Sequence, residues 1–403
     1  MSPREMPRPP RAARAPHGHR GFIPFCVPYT DRREVEGAAQ AIRSGWLTTG
    51  PRVSRFESAV RRSVGARHAV AVNSCTAAMH LSLAARGIKE GDEVITSPYT
   101  FAATGEAILY LRARPVFADI ISATLNIDPH AVERAVTRRT RAIVPVHIAG
   151  LPCDMDPLLD IARRHRLAII EDAAHALGAV YGGRPIGSLS DATCLSFYAT
   201  KNLATGEGGM VTLNDREMAD RIRRLSLHGL SRDAWKRYTR AGSWRYDVVE
   251  LGYKYNMTDV AAAIGLAQLS KFRDMQAKRL RLARRYCALL GQSDTYELPT
   301  ELPGSTHAWH LYVLRLRSGV LRIERDRLLH LLRARGIGAS VHFLPLHLHS
   351  FYRRTFGYTG GAFPRTEAES ARALSLPLYP GLSTRAQDRV VEVLLDLAER
   401  HRR

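Results

Sequence analysis

Between residues 66 and 230, short β-branched runs alternate with longer stretches of helical period. HAVAVNS (68–74) has the residue types of a strand, and TAAMHLSLAARG (76–87) those of a helix closed by Gly87. DEVITS reads as the next strand, followed by a helix through AATGEAILYLR. RPVFADI, RAIVPVHIAG and LAIIED continue the strands, with helical MDPLLDIARRH between the last two, and DATCLSFYA and GGMVTL close the series. This alternation predicts an α/β fold with a mostly parallel sheet covered by helices on both faces.

Beyond residue 258 the pattern changes. TDVAAAIGLAQLSKFRDMQAKRLRLARRYCALL reads as one long helix that tolerates Gly265. A strand at WHLYVLRL, a helix at RDRLLHLLRARG, a short strand at GASVHF and a closing helix at RAQDRVVEVLLDLAERH complete a smaller α+β unit. A chain of 403 residues exceeds one ordinary core, so two domains are expected. The division read here is a disordered tail at 1–20, a large α/β domain at 21–257 with the N-terminal segment, and a small α+β domain at 258–403. Residues 21–65 are expected beside the smaller unit.

Composition narrows the class. The 45% hydrophobic and 24% charged residues are those of a globular chain, and no run approaches the length of a membrane span. The Pro- and Arg-rich start, MSPREMPRPPRAARAPHGHR, lacks an apolar signal core, which points to the cytoplasm. Five scattered cysteines without C-x-x-C spacing speak against a disulfide framework or a zinc cluster. Of the 59 basic residues only six are Lys, and the net charge of +21 is spread along the chain rather than gathered in a patch. That spread argues against nucleic acid and suits a small anionic substrate.

Three segments carry candidate chemistry. LAIIEDAAH (167–175) ends a buried strand in two carboxylates and a histidine. Ligands of open α/β sheets bind at the carboxyl ends of strands, where an Asp can hold a heteroaromatic cation; a helix cap or metal ligand has the same appearance. SFYATKNLATGEGGM (196–210) sets Lys201 in a Gly- and Thr-rich loop. Desolvation there would free the amine to attack a carbonyl, whereas a solvated loop lysine would do nothing. NSCTAAMH (73–80) opens a helix with hydroxyls, either as an ordinary N-cap or as a phosphate site. The aromatic in PYTF (98–101) suits either the core or a planar ligand.

Taken in order, these segments resemble the DegT–StrS sugar aminotransferases, a family of fold-type-I pyridoxal-phosphate enzymes. The resemblance runs from about Ile23 to the C-terminus through GWLTTGPRVSRFE, NSCTAAMHLSL, GDEVITSPYTF, EDAAHALGA, SFYATKNLATGEGGMV and LGYKYNMTDVAAAIGLAQL, among others. It implies a seven-stranded sheet, pyridoxal phosphate as cofactor, and an amino transfer between L-glutamate and a nucleotide-linked keto sugar. Lys201 matches the Schiff-base lysine and proton carrier, Asp172 the partner of the pyridine nitrogen, and His175 the group beside the ring. Thr76, Ala77 and Ser196 match phosphate-binding positions, and Phe101 the aromatic stacked on the ring.

In relatives a segment here reading GYKYN reaches the neighbouring subunit's phosphate, which implies a homodimer with shared sites. The commoner form is GYNYR, so Lys254 and Asn256 are both candidates for that contact. GYKYNMTD, EDAAHA, VHIAG, HGLSRDAW and THAWHL are similar to the subgroup that makes UDP-4-amino-4-deoxy-L-arabinose from a 4-keto pentose; related enzymes aminate 4-keto-6-deoxyhexoses. His342 and His347 of VHFLPLH fall in a stretch that meets the sugar nucleotide in relatives, and each is equally readable as a structural histidine. Some relatives replace the lysine with His and deoxygenate the sugar; a non-catalytic regulator or sensor that keeps the fold is the rival from another class.

Overall fold

The seven β-branched runs of the first half form a single sheet. In chain order its strands begin with β1 (His68–Val72), β2 (Glu93–Thr96), β3 (Arg114–Phe117), β4 (Thr140–Val144) and β5 (Ala168–Asp172). A small hairpin of β6 (Val180–Tyr181) and β7 (Arg184–Pro185) precedes β8 (Ala192–Ser196) and β9 (Gly209–Leu213). The order across the sheet is β1-β9-β8-β5-β4-β2-β3. All pairs are parallel except those of β9, which runs antiparallel to β1 and β8. The computed structural model describes residues 21–231 and 246–403. The expected tail at 1–20 and the Arg232–Trp235 part of the HGLSRDAW motif lie outside the described residues.

Among the described residues the α-helices of this part are, in order, α1 (Arg32–Arg43), α2 (Pro51–Val64), α3 (Cys75–Ala85), α4 (Ala102–Leu109), α5 (Pro129–Ala135), α6 (Met155–His165), α7 (Arg216–Leu225), α8 (Asp259–Ser270) and α9 (Phe272–Leu290). Because strand side chains alternate between faces, Val70, Val72, Val144, Ile170 and Val211 pack with α3, α4 and α7. Ala69, Ala71, Leu195 and Met210 pack the other way, against α2 and α8. Ile95, Ile143 and Ile169 share that second face with α5 and α6. Apolar cover on both sides is what a parallel sheet requires, and each buried Val or Ile contributes about 2 kcal/mol.

The second core gathers α9 with the antiparallel sheet of β10 (Tyr296–Glu297), β12 (Tyr312–Leu316) and β13 (Ala373–Leu376). The intervening β11 (Ser305–Thr306) pairs with β6. The helices α10 (Arg325–Ala334), α11 (Ser350–Phe356), α12 (Pro364–Arg372) and α13 (Thr384–Arg400) follow, with Leu328, Leu332, Val390 and Leu394 in this core. Ile23 joins it too, through a bridge to Ile337.

Two elements differ from the sequence expectation. The long helix breaks into α8 and α9 at Lys271, whose buried Nζ is held by Glu34 at 2.7 Å and Asp31 at 3.0 Å. This pairing with the start of α1 leaves α8 packed on α1 and α2, while α9 turns into the second core. Gly265 is required at the first contact, since a Cβ there would lie 2.6 Å from the Phe56 ring. GASVHF forms one isolated bridge, Ser340 to Ser375, instead of a strand. Beyond Ser340 the His342 ring bonds the Ser375 hydroxyl through Nδ1 at 2.9 Å, and the Phe343 carbonyl accepts from Ser370.

Candidate active site

The strand ends meet at one rim of the sheet. Val72 and Ser196 both pair with Gly209, which brings the start of α3 beside the end of β8. Only glycine fits at that crossing: a Cβ on residue 209 would lie 2.3 Å from the Ser74 carbonyl carbon and 2.6 Å from the Cys75 nitrogen. Ser74 caps α3 by accepting the Ala77 N–H at 3.0 Å. Ser74, Cys75, Thr76 and Ser196 line a cavity of about 530 Å³, with the positive end of α3 directed at it. Ala77, expected at a phosphate position, is buried behind this lining with its N–H engaged by Ser74.

Asp172 ends β5 and lines the same cavity. Its carboxylate accepts the Thr104 hydroxyl at 2.7 Å and the Ala174 N–H at 3.1 Å. Thr104 is in turn bonded to Thr100 at 2.7 Å. Both threonines lie in TFAATGE, and the sequence reading passed over them; hydroxyls spaced four apart around a helix start are the signal that marked them. Glu171 faces the opposite side, fully buried, and accepts from Ser190 at 2.5 Å and Thr193 at 2.7 Å. Burial raises its carboxyl, but His147 at 2.8 Å and these two hydroxyls bring it below the usual carboxylate range. One carboxylate of the pair therefore serves the cavity and the other ties β5 to its neighbours.

Lys201 reaches the cavity from the loop between β8 and β9. That loop is closed by Phe197 N–H to Gly208 and Thr205 N–H to Phe197, and Lys201 N–H turns back to Tyr198. Burial pushes the Lys201 ammonium below its ordinary value, opposed by the Asp172 carboxylate and the thiols Cys75 and Cys26. A half-buried amine with a depressed pKa beside a carboxylate can attack a carbonyl carbon. The solvated-lysine alternative does not hold.

His175 and His342 complete the wall. Burial first, and then the charges of Lys201 and His342, hold the His175 imidazole well below its usual range, so it is neutral. Its Nδ1 is buried and has no hydrogen-bond partner among the described residues. The His342 imidazole is pushed down to about 4 by burial and by Lys201. Phe101, at the start of α4, is 62% exposed at the cavity mouth and tilts against Phe343 at 5.9 Å, so it is no core residue. His310 also lines the cavity, although its motif THAWHL carried no site assignment in the sequence.

Three expected residues lie elsewhere. Lys254 is exposed and outside the cavity of its own chain. Asn256 donates to Thr49 at 2.7 Å, in a segment where Tyr253 and Tyr255 stack at 5.2 Å. His347 is fully buried away from the cavity lining, with Nε2 at 2.9 Å from Glu367 and its ring against Phe363. The five cysteines are all free, and burial raises the thiols of Cys26, Cys75, Cys194 and Cys287.

The donor set fits one kind of group. A helix N-terminus with hydroxyls suits a phosphate, the Asp172 carboxylate a ring cation, Lys201 an aldehyde, and the unpartnered buried imidazole edge of His175 a flat heterocycle beside it. Comparison with known proteins agrees. Spore coat polysaccharide biosynthesis protein SpsC of Bacillus subtilis is 49% identical over 379 residues, covering 94% of this chain and 97% of its own length. The PMP form of the sugar aminotransferase Spr1654 from Streptococcus pneumoniae superposes with a TM-score of 0.89 at 33% identity, covering 94% of this chain and 99% of that one. Its PLP form gives 0.88 at 32% identity, with the same coverage. Helicobacter pylori PseC, an aminotransferase of pseudoaminic acid biosynthesis, gives 0.87 at 27% identity over 94% of this chain and all of its own. With the model of the DegT/DnrJ/EryC1/StrS aminotransferase family matching residues 28–395, the chain belongs to that family of pyridoxal-phosphate-dependent aminotransferases.

Proposed function

We propose that this protein transfers an amino group from L-glutamate to the C4 ketone of a nucleotide-linked sugar, as a homodimer with shared sites. The carrying observation is the pairing, in one cavity, of a half-buried amine of depressed pKa at Lys201 with the Asp172 carboxylate. Bound pyridoxal phosphate supplies an aldehyde that takes up the amino group and a ring that stores the electrons of a broken C–H bond. The Asp172 carboxylate, fixed by Thr104 and the Ala174 N–H, would face the ring nitrogen. The Lys201 amine would accept the proton from the donor Cα and deliver it to the former aldehyde carbon. The neutral imidazole of His175 would lie beside the ring, and the exposed Phe101 would cover its open face.

The phosphate end is assigned to Ser74, Thr76 and Ser196, with Lys254 and Asn256 supplied by a second copy. Support for that assignment is the exposure of Lys254 away from its own cavity. His342, in the cavity lining, is assigned to the sugar, whereas the buried His347, paired with Glu367, is a structural histidine. The formal charge of +21 favours capture of a pyrophosphate-bearing substrate. SpsC and PseC, named for polysaccharide and sugar-acid biosynthesis, support a carbohydrate acceptor. Free, mostly buried thiols suit the reducing cytoplasm. Retention of Lys201 favours transamination over deoxygenation.

The test is incubation of cofactor-loaded protein with glutamate and a series of UDP- and dTDP-linked 4-keto sugars, read by product mass. An aminated sugar nucleotide with matching 2-oxoglutarate is expected. Absence of both with every acceptor overturns the reading.

A further inference from the structure

The segment His307–Tyr312 is folded against local preference. Trp309 has φ +48°, a left-handed conformation that bulky side chains rarely adopt. It is held there by His307, whose Nδ1 accepts the Trp309 N–H at 2.8 Å and whose ring stacks on the indole at 4.0 Å. The facing chain is unusual too. Ala149 has φ +58° and accepts the His310 N–H at 2.9 Å, while Gly150 accepts the Ala308 N–H at 2.8 Å. The result is a division of neighbours: Trp309 enters the second core, and His310 enters the cavity wall. Backbone strain maintained by this many contacts marks a position whose placement matters.

His310 is fixed on both of its sides. The Asn202 amide nitrogen donates to the Ala308 carbonyl at 2.8 Å and to Gln276 at 3.1 Å, and Gln276 donates to the same carbonyl at 3.0 Å. That leaves the Asn202 oxygen, 3.1 Å from His310 Nδ1, as an acceptor. The imidazole proton is therefore assigned to Nδ1 and the lone pair to Nε2. The charged and titratable groups around the ring are His175, Lys201, Arg279 and His342. Burial above all, and then these bases, hold His310 well below its usual range, so it stays neutral. The ring lies 4.4 Å from that of His175 at 35°, and Asn202 is bonded directly to Lys201 in the chain.

We propose that His310 is a positioning residue of this site, holding the His175 ring by contact and the Lys201 loop through Asn202. A simple space-filler would need neither the Asn202 bond nor the strained turn. The inference rests on the aminotransferase reading for its kinetic consequences but not for its geometry.

The test combines spectroscopy and two variants. Nitrogen-15 histidine NMR of the wild-type protein, with and without pyridoxal phosphate, should show His310 neutral and protonated on Nδ1 across the neutral and mildly acidic range. His310→Phe keeps a ring against His175 but loses the donor; kcat should fall about 100-fold with little change in KM for glutamate. The pH at which the cofactor absorbance changes should shift in the same variant. His310→Asn, which restores a donor near Nδ1, should recover part of both. A His310 that titrates in that range or carries its proton on Nε2 overturns the proposal, even where His310→Phe does not fold. So does a folded His310→Phe with wild-type kcat and spectrum. A wild-type protein that binds the cofactor but aminates no sugar strikes the functional reading alone, because the tautomer and the absorbance need no acceptor.

Discussion

The Thr104 hydroxyl sits 2.7 Å from the Asp172 carboxylate and donates to it from the first turn of α4, 68 residues earlier in the chain. With the Ala174 N–H on the other oxygen, this bond fixes the plane of the carboxylate that faces the cavity. Hydrogen bonds to charged groups contribute about 1.5–3 kcal/mol. Thr104→Val should therefore lower kcat by at least about tenfold, and Thr104→Ser should retain most activity. Steady-state kinetics of the two variants, with melting curves to verify folding, check this.

Lys201→Ala removes the cavity amine. The protein should bind pyridoxal phosphate only reversibly, show no borohydride-fixed adduct and lose turnover. Adduct formation together with turnover in this variant would mean that another amine does the chemistry.

Asp172→Asn keeps a similar shape but no charge. Cofactor binding should survive weakly while turnover falls by orders of magnitude, about 100-fold or more, as an electrostatic contribution is lost. Glu171 cannot substitute, because it is fully buried on the opposite face in bonds to His147, Ser190 and Thr193. Near-normal turnover in Asp172→Asn would contradict the assignment.

A shared site makes complementation possible. Mixing Lys201→Ala with a variant carrying both Lys254→Ala and Asn256→Ala should restore activity, up to about one intact site of two per mixed dimer. In the mixed dimer one site then carries both lesions and the other carries neither. Proven subunit exchange without recovery, or a fully active monomer in sedimentation, excludes sharing.

Burial holds the His80 imidazole down to about 4 and that of His307 down to about 3. In the unfolded chain both return to about 6.5. Between about pH 6.5 and 4 the unfolded state binds more protons, so stability rises with pH and falls on acidification. Each histidine contributes a slope approaching 1.4 kcal/mol per pH unit, as an order of magnitude. His80→Phe, which keeps the ring among Tyr110, Tyr253 and Tyr255, should flatten the pH dependence of the urea midpoint in that window. An unaltered slope would show that His80 already titrates in the folded protein.

Seven strands, their alternation with helices, Asp172 at a strand end and Lys201 in the loop between two strands were legible in the chain because they rest on local periodicity and on neighbours a few residues away. The resemblance then assigned their chemistry. What the sequence left open depended on partners far along the chain. The break at Lys271 requires Asp31 and Glu34, more than two hundred residues upstream, and no helix propensity signals it. His342 and His347 share one short motif, yet the turn after Ser340 sets one in the cavity wall and buries the other against Glu367. Thr104 and His310 acquire their roles only when α4 and the strained turn at Trp309 are brought against the end of β5 and the Lys201 loop. Periodicity reports which side of an element is buried; which side chains then meet is decided by packing between elements, and that information is distributed over the whole chain.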